Sequence, residues 1–329
     1  MNSRGAFRGV YMENYIGIDL GGTNIRACLM DWSCKLRYFH KERTDPSKEP
    51  KRVAGQIVKI IRILQGKVKK GERVLGCCLG LAGLLSPDGR VVKIGPNFGW
   101  RDVPFADLLN RQLDMDILIV NDLTAVSYGE FKSGAGRGSK NMFCVFVGSG
   151  IGSALILNGS PYEGSTNVAG ELGHIKVREG GRACGCGARG CLEAYTGGNP
   201  VRERIMDIAR VDKDSFFYKA VGGRIEGLNY SYVEKGYLKG DAISIAIWEE
   251  IRDLLSMAIA NVITVYNPDC VVIGGGAIMN TPRLLNAVMK DIRKYATPPS
   301  LSNLKIKKAI LGDDAGMIGA ALLMMNKKG

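Results

Sequence analysis

A chain of 329 residues, 46% of them hydrophobic and 23% charged, buries a large core and has room for two domains, which excludes a disordered, fibrous or disulfide-stapled miniature protein. The formal charge of +13 raises the question of nucleic acid. Yet the basic stretch from Lys41 to Arg73 also holds Glu42, Asp45, Glu49 and Glu72, so it reads as a solvated helix face whose field concentrates anionic nucleotides.

The polar residues from Met1 to Tyr11 read as a tail. No signal peptide follows them, and the longest apolar run, Leu254 to Tyr266, is too short for a bilayer, so a soluble, cytosolic protein is expected. From Tyr15 to Leu20 the pattern is a buried strand, Gly21-Gly22 is a tight turn, and Asn24 to Asp31 is the returning strand of a hairpin. Val53, Ile57, Ile60, Ile61 and Leu64 mark an amphipathic helix, followed by a strand from Val74 to Leu79 and a long loop with short strands reaching Trp100. A helix from Phe105 to Leu113 leads into a strand from Ile117 to Val120. Asn121 and Asp122 stand at its carboxyl end with a helix starting at once, where open α/β sheets place their ligands.

The opening theme then repeats. A strand from Met142 to Val147, the turn Gly148-Ser149-Gly150, and a strand from Gly152 to Leu157 end at the hairpin signal Asn158-Gly159. This duplication predicts two related α/β domains with a boundary near Asn121. Farther on come a long core-facing helix from Ile243 to Tyr266, a strand from Val271 to Ile273, and Gly274-Gly275-Gly276 opening a helix. A strand from Leu304 to Leu311, the pair Asp313-Asp314 and a small-residue helix from Ala315 to Met325 complete the pattern.

Between Glu171 and Glu193 lie His174, Cys184, Cys186 and Cys191. One imidazole and three thiolates are a full tetrahedral set for structural Zn²⁺, with no open position for a catalytic water. A cluster of buried or redox-active thiols is the rival reading. The other six cysteines fall mostly in apolar runs, and an odd total of nine argues for a reducing compartment. Gly185, Gly187 and Gly190 also spell a dinucleotide fingerprint, but no strand precedes them and cysteines interleave them, so that match is rejected.

No P-loop occurs. Three glycine turns remain as phosphate nests: Gly21-Gly22-Thr23, Gly148-Ser149-Gly150 and Gly274 to Gly276. Asp19 can hold Mg²⁺, while Thr23 and Arg26 can donate to phosphate oxygens. Asp122 is the candidate base for an attacking hydroxyl; the alternative is a helix N-cap.

With these residues in hand, the chain resembles the ROK (repressor, open reading frame, kinase) family, and most closely its glucokinase-like members. The resemblance rests on Asp19-Leu-Gly-Gly-Thr-Asn-Ile-Arg26, Gly80-Leu-Ala-Gly-Leu, Pro96-Asn-Phe-Gly-Trp100, Asn121-Asp122 with Glu130, Gly148-Ser-Gly150, Glu171-Leu-Gly-His174, the cysteine segment, Gly274 to Gly276, and Asp313-Asp-Ala-Gly. It implies an actin-like ATPase fold of two α/β domains closing on a cleft. The small domain would span 15–120 with the C-terminal helix, 313–329, returning to it; the large one would span 121–312 with a zinc loop at 174–191. It also implies an ATP-dependent hexose kinase in which Asp122 deprotonates a sugar hydroxyl, with glucose as leading substrate and N-acetylmannosamine, fructose or another hexose as alternatives.

By the same resemblance, Asn97, Asn121, Asp122, Glu171, His174 and Glu193 would hold the sugar. Asp19, Gly21, Gly22, Thr23, Asn24, Arg26, Gly148, Ser149, Gly150, Gly275 and Gly276 would hold ATP and Mg²⁺. His174 with Cys184, Cys186 and Cys191 would hold zinc, and dimers or tetramers would form. Gly80-Leu-Ala-Gly lacks the proline many members carry. Repressors of the family carry a helix-turn-helix ahead of the first motif, for which the 18 residues before Asp19 are too few. A zinc-knuckle nucleic-acid module would leave Asp19, Asp122 and the glycine turns without a role.

Overall fold

Two hydrophobic runs separated by a glycine turn form the first hairpin, β1 (Met12–Leu20) and β2 (Asn24–Asp31), with Asp19 opposite Arg26 and Leu20 opposite Ile25. The computed structural model describes residues 12–328, so the stretch from Met1 to Tyr11 lies outside the described residues. Strand β3 (Leu36–Arg43) extends the sheet. Helix α1 (Pro50–Gln65) starts on a proline, whose fixed φ suits a first turn, and buries Val53, Ile57, Ile60, Ile61 and Leu64.

Next come β4 (Glu72–Leu81), a small meander of β5 (Leu84–Leu85), β6 (Val92–Gly95) and β7 (Trp100–Val103), then α2 (Phe105–Asn110), β8 (Asp116–Asn121) and α3 (Asp122–Ser133). The main sheet has the order β3-β2-β1-β4-β8. Its β1-β4 and β4-β8 pairs are parallel, and a covered parallel sheet needs continuous apolar strands such as Gly76 to Leu81.

The second sheet repeats this plan. Strands β9 (Met142–Val147), β10 (Ile151–Leu157) and β11 (Ser160–Tyr162) form an antiparallel meander, closed by Asn158 and Gly159, both with positive φ. Five helices follow: α4 (Glu193–Thr196), α5 (Gly198–Val211), α6 (Phe216–Ala220), α7 (Ser231–Leu238) and α8 (Ala242–Tyr266). Helix α8 is capped by Asp241, whose carboxylate accepts from the Ser244 amide at 2.8 Å, and it ends on left-handed Asn267 before Pro268.

Strand β12 (Cys270–Gly274), the single turn α9 (Gly276–Met279), α10 (Pro282–Tyr295) and β13 (Lys305–Lys308) complete the order β11-β10-β9-β12-β13. The last strand is shorter than the expected span from Leu304 to Leu311 because Pro-rich Thr297 to Leu301 and the turn at Gly312 bracket it. No described helix is long and apolar enough to cross a membrane.

The chain then returns to its first sheet as α11 (Ala315–Lys328). A Cβ on Gly319 would stand 1.7 Å from the Ala125 carbonyl, so only glycine lets α11 lie this close to α3. The Leu311 amide, just ahead of α11, donates to the fully buried Glu130 carboxylate of α3 at 2.8 Å. This packing assigns α3 to the first compact unit, which runs through Ser133 and includes Gly164–Val168 and the segment from Leu311. The first unit thus extends twelve residues past the boundary expected near Asn121, because α3 packs against α11, which returns to the first sheet. Gly134–Glu163 and Ala169–Ile310 make the second unit.

Candidate active site and metal cluster

The first glycine turn is held from both sides. The Gly21 amide donates to the Asn24 carbonyl at 3.0 Å, and Thr44 donates through its hydroxyl to the Gly21 carbonyl at 2.6 Å and through its amide to the Thr23 carbonyl at 3.0 Å. Asp19, half-buried at the end of β1, has its carboxyl pushed up to about 6, mainly by burial; the Arg26 guanidinium opposes the shift and the Asp313 carboxylate adds to it. Arg26, expected as a phosphate donor, forms an ion pair with Asp313 at the start of α11. A Cβ on Gly22 would lie 3.0 Å from the Asn97 Cβ, so the turn and the Asn97 loop are in close contact.

At the carboxyl end of β8 the Asn121 side chain bridges two loops. Its amide nitrogen donates to the Gly83 carbonyl at 3.0 Å, and its oxygen accepts from the Leu123 amide at 2.8 Å. The same amide lies 3.0 Å from the Asp122 carboxylate. Asn121 and Asp122 thus share one amide of the first turn of α3.

In the second unit, Gly148 and Gly150 close their turn at 3.0 Å, while the Gly198 and Asn199 amides donate to the Gly148 and Ser149 carbonyls at 3.0 and 2.7 Å. A Cβ on Gly150 would meet the Glu193 Oε2 at 2.3 Å, and that oxygen accepts from the Ile151 amide at 2.7 Å. Beside this turn lies an open cavity of about 690 Å³, walled by Gly148, Ser149, Gly276 and Ala277 and by Arg202, Asn229, Tyr230, Glu234 and Lys235. It joins the second and third glycine turns at one concave space of ligand size. The helical contributors were not singled out from the sequence. Of these, Glu234 is buried and accepts from the Leu284 amide at 2.7 Å, and Arg202 donates to the Leu228 and Glu226 carbonyls, both at 2.9 Å.

The cysteine segment folds into a tight knot through the bridges Lys176 to Cys191 and Ala183 to Arg189. Ligand atoms of His174, Cys184, Cys186 and Cys191 all lie within 4.8 Å of one another. Cys186 and Cys191 sulfurs are 3.7 Å apart, as are the Cys184 sulfur and His174 Nδ1. Tetrahedral zinc–sulfur bonds of ~2.3 Å require sulfurs about 3.8 Å apart, which the Cys186–Cys191 separation matches. The other imidazole nitrogen, Nε2, is 3.8 Å from Glu171 Oε2, and Cys184 is 4.0 Å from Glu193 Oε1. Partial burial raises the Glu171 carboxyl, with His174 opposing and Glu193 adding to the shift. Three expected sugar ligands, Glu171, His174 and Glu193, are thereby gathered at the cluster. Asn97, Asn121 and Asp122 belong to the first unit.

Two sheets of identical order, each opened by a strand, a glycine turn and a strand, define an actin-like ATPase fold of the sugar-kinase type. The chain belongs to the ROK family, whose model matches residues 15–327. It is 29% identical to the glucokinase of Halalkalibacterium halodurans over 95% of this chain and 96% of that one. Among solved structures, a ROK hexokinase from Thermus thermophilus superposes with a TM-score of 0.82 at 27% identity, covering 96% of this chain and all of the other. A ROK family glucokinase from Streptomyces griseus, in complex with glucose and AMPPNP, gives 0.74 at 26% identity over the same shares. Xylose repressors also match, that of Bacillus subtilis at 22% identity over 94% of this chain and 77% of its own length.

Proposed function

We propose that the protein transfers the γ-phosphoryl group of ATP to a hexose, glucose before N-acetylmannosamine or other hexoses, with Asp122 as general base. The observation that carries this reading is the Asn121-Asp122 pair. A carboxylate stands at the carboxyl end of a parallel strand, where open α/β sheets place their ligands, and it shares the Leu123 amide with Asn121. A base within reach of a hydroxyl takes its proton as the oxygen attacks phosphorus, and no covalent enzyme intermediate is needed.

The glycine turns supply backbone N–H groups to phosphate oxygens, and the cavity beside Gly148 and Gly276 accommodates the nucleoside. Asp19 is the carboxylate that would hold Mg²⁺, which neutralises phosphate charge when bound; its pKa is raised mainly by burial, and a bound cation would favour its charged form. Zinc at His174, Cys184, Cys186 and Cys191 is structural in this reading. It would fix the segments from which Glu171 and Glu193 reach sugar hydroxyls, with His174 Nδ1 on the metal and Nε2 left for substrate. Asn97 and Asn121 complete the hydroxyl partners, since amides offer both donor and acceptor. Assembly into dimers or tetramers and a cytosolic location belong to the same reading. ADP release measured with ATP across a panel of hexoses and N-acetylhexosamines tests it; absence of turnover with every sugar sinks it.

A further inference from the structure

The turn joining β3 to α1 contributes no group to the chemistry above, yet it touches both loops of the first unit that do. Thr44, at its start, is buried and holds the carbonyls of Gly21 and Thr23. Lys48, near its end, adopts a left-handed backbone with φ of 55°, an unfavourable choice for a residue with a long side chain. Three bonds hold it there. Its amide donates to the Asp45 carbonyl at 3.0 Å, its carbonyl accepts from the Trp100 indole at 2.7 Å, and its ammonium donates to the Asn97 carbonyl at 2.5 Å.

A lysine serving only solubility extends into water. This one is half-buried and directs its ammonium at the backbone carbonyl of an expected sugar ligand, with the Phe98 ring centre 6.0 Å away. Asn97 in turn packs on Gly22 of the phosphate turn, which Thr44 holds from the other side. The contacts close a ring: Thr44 to the glycine turn, the glycine turn to Asn97, Asn97 to Lys48, and Lys48 back along four residues of chain to Thr44.

We propose that Lys48 is a positioning residue, which through its ammonium fixes the Asn97 loop against the Gly21-Gly22-Thr23 turn so that the sugar-holding and phosphate-holding segments of the first unit are set as one piece. The inference rests on the hexose-kinase reading. A misplacement of either segment by a fraction of an ångström costs rate and affinity for the sugar even though Lys48 touches neither substrate.

Steady-state kinetics of Lys48→Met, which keeps the stem and removes the charge, with Lys48→Arg as the conservative variant, test it. Lys48→Met should raise the hexose KM about tenfold, the effect of one lost charged hydrogen bond, while the ATP KM stays within about threefold because Thr44 still grips the turn. Lys48→Arg should recover most of the loss. Lys48→Gly, which relieves the left-handed backbone while removing the ammonium, should keep or raise the melting temperature and still raise the hexose KM. A hexose KM in Lys48→Met within twofold of the parent overturns the proposal, as does a fall in melting temperature with equal rises in both KM values. Absence of transfer to any hexose by the unmodified protein, run in parallel, overturns the kinase reading itself and this inference with it.

Discussion

The two units share one sheet plan and use it differently. In the first, the glycine turn after β1 is bordered by unsettled charge: Asp19 with its carboxyl pushed up to about 6, and Arg26 committed to Asp313. In the second, the turn after β9 is bordered by a settled one, since Glu193 Oε2 accepts the Ile151 amide at 2.7 Å beside an amide-closed loop. In the proposed reading the same backbone theme carries the reactive carboxylates in one copy and, in the other, a recognition surface beside four side chains that could hold a metal ion.

The sharpest way to break this division is Asp122→Ala. It should lower kcat by about 10³-fold, the usual worth of a positioned base, with sugar affinity by calorimetry nearly unchanged. Activity above a few per cent would return the reactive role to the second unit.

Asp19→Asn probes the unsettled charge of the first turn. A carboxyl whose folded value is raised from 3.8 to about 6 favours the folded state fully only below pH 4, and that contribution is lost as pH rises through 6. Removing the ionisable group should therefore stabilise the ligand-free protein at pH 8 by about 3 kcal/mol, taken at ~1.4 kcal/mol per pH unit, and by little at pH 4. Urea denaturation at both pH values measures it, and phosphoryl transfer should fall in the same variant. A loss of stability at pH 8 would show that Asp19 is a structural anion.

Cys186→Ser tests the bracing of the second unit. Zinc content should drop from about one per chain, the expectation for a closed site, and sugar affinity should fall at least about tenfold together with the melting temperature. Unchanged affinity in the zinc-free variant would detach the cluster from Glu171 and Glu193. Smallest is a pair of alanines. Gly150→Ala meets the Glu193 carboxylate at 2.3 Å and should raise the hexose KM by about tenfold, whereas Gly22→Ala meets Asn97 at 3.0 Å and should cost about threefold. Equal effects on KM would mean that the two turns are braced alike.

Much of this was legible in the sequence for a physical reason. The strands β1, β8, β9, β10 and β12 are apolar runs ended by glycine or asparagine, β2 and β4 are mainly apolar runs, and α1 and α8 carry apolar residues at helical spacing. Strand β3 went unread because an edge strand exposes alternate positions, and Lys41, Glu42 and Arg43 look like part of the following charged face. Helix α5 did carry a signal in Val201, Ile205, Met206 and Ala209, all buried, but Asn199-Pro200 in its first turn resembles a loop. Of the site, the metal set and the Asn121-Asp122 pair were readable because their residues are close in sequence. The cavity residues of α5 and α7, the Arg26–Asp313 pair and the Lys48–Asn97 bond join positions 49 or more apart, or lie on helices whose polar faces carry no pattern.

The close seat of α11 against α3 has a consequence for how the chain is made. Helix α11 is synthesised after every element of the second unit, so on the ribosome the first sheet is displayed before the helix that covers β1 and α3 exists. The second unit, contiguous from its strands to Ile310 apart from one short excursion, is free to fold first. The earlier-made unit is therefore the later to finish, and the apolar flank awaiting α11 is where a nascent chain of this protein is most exposed to chaperones and to aggregation.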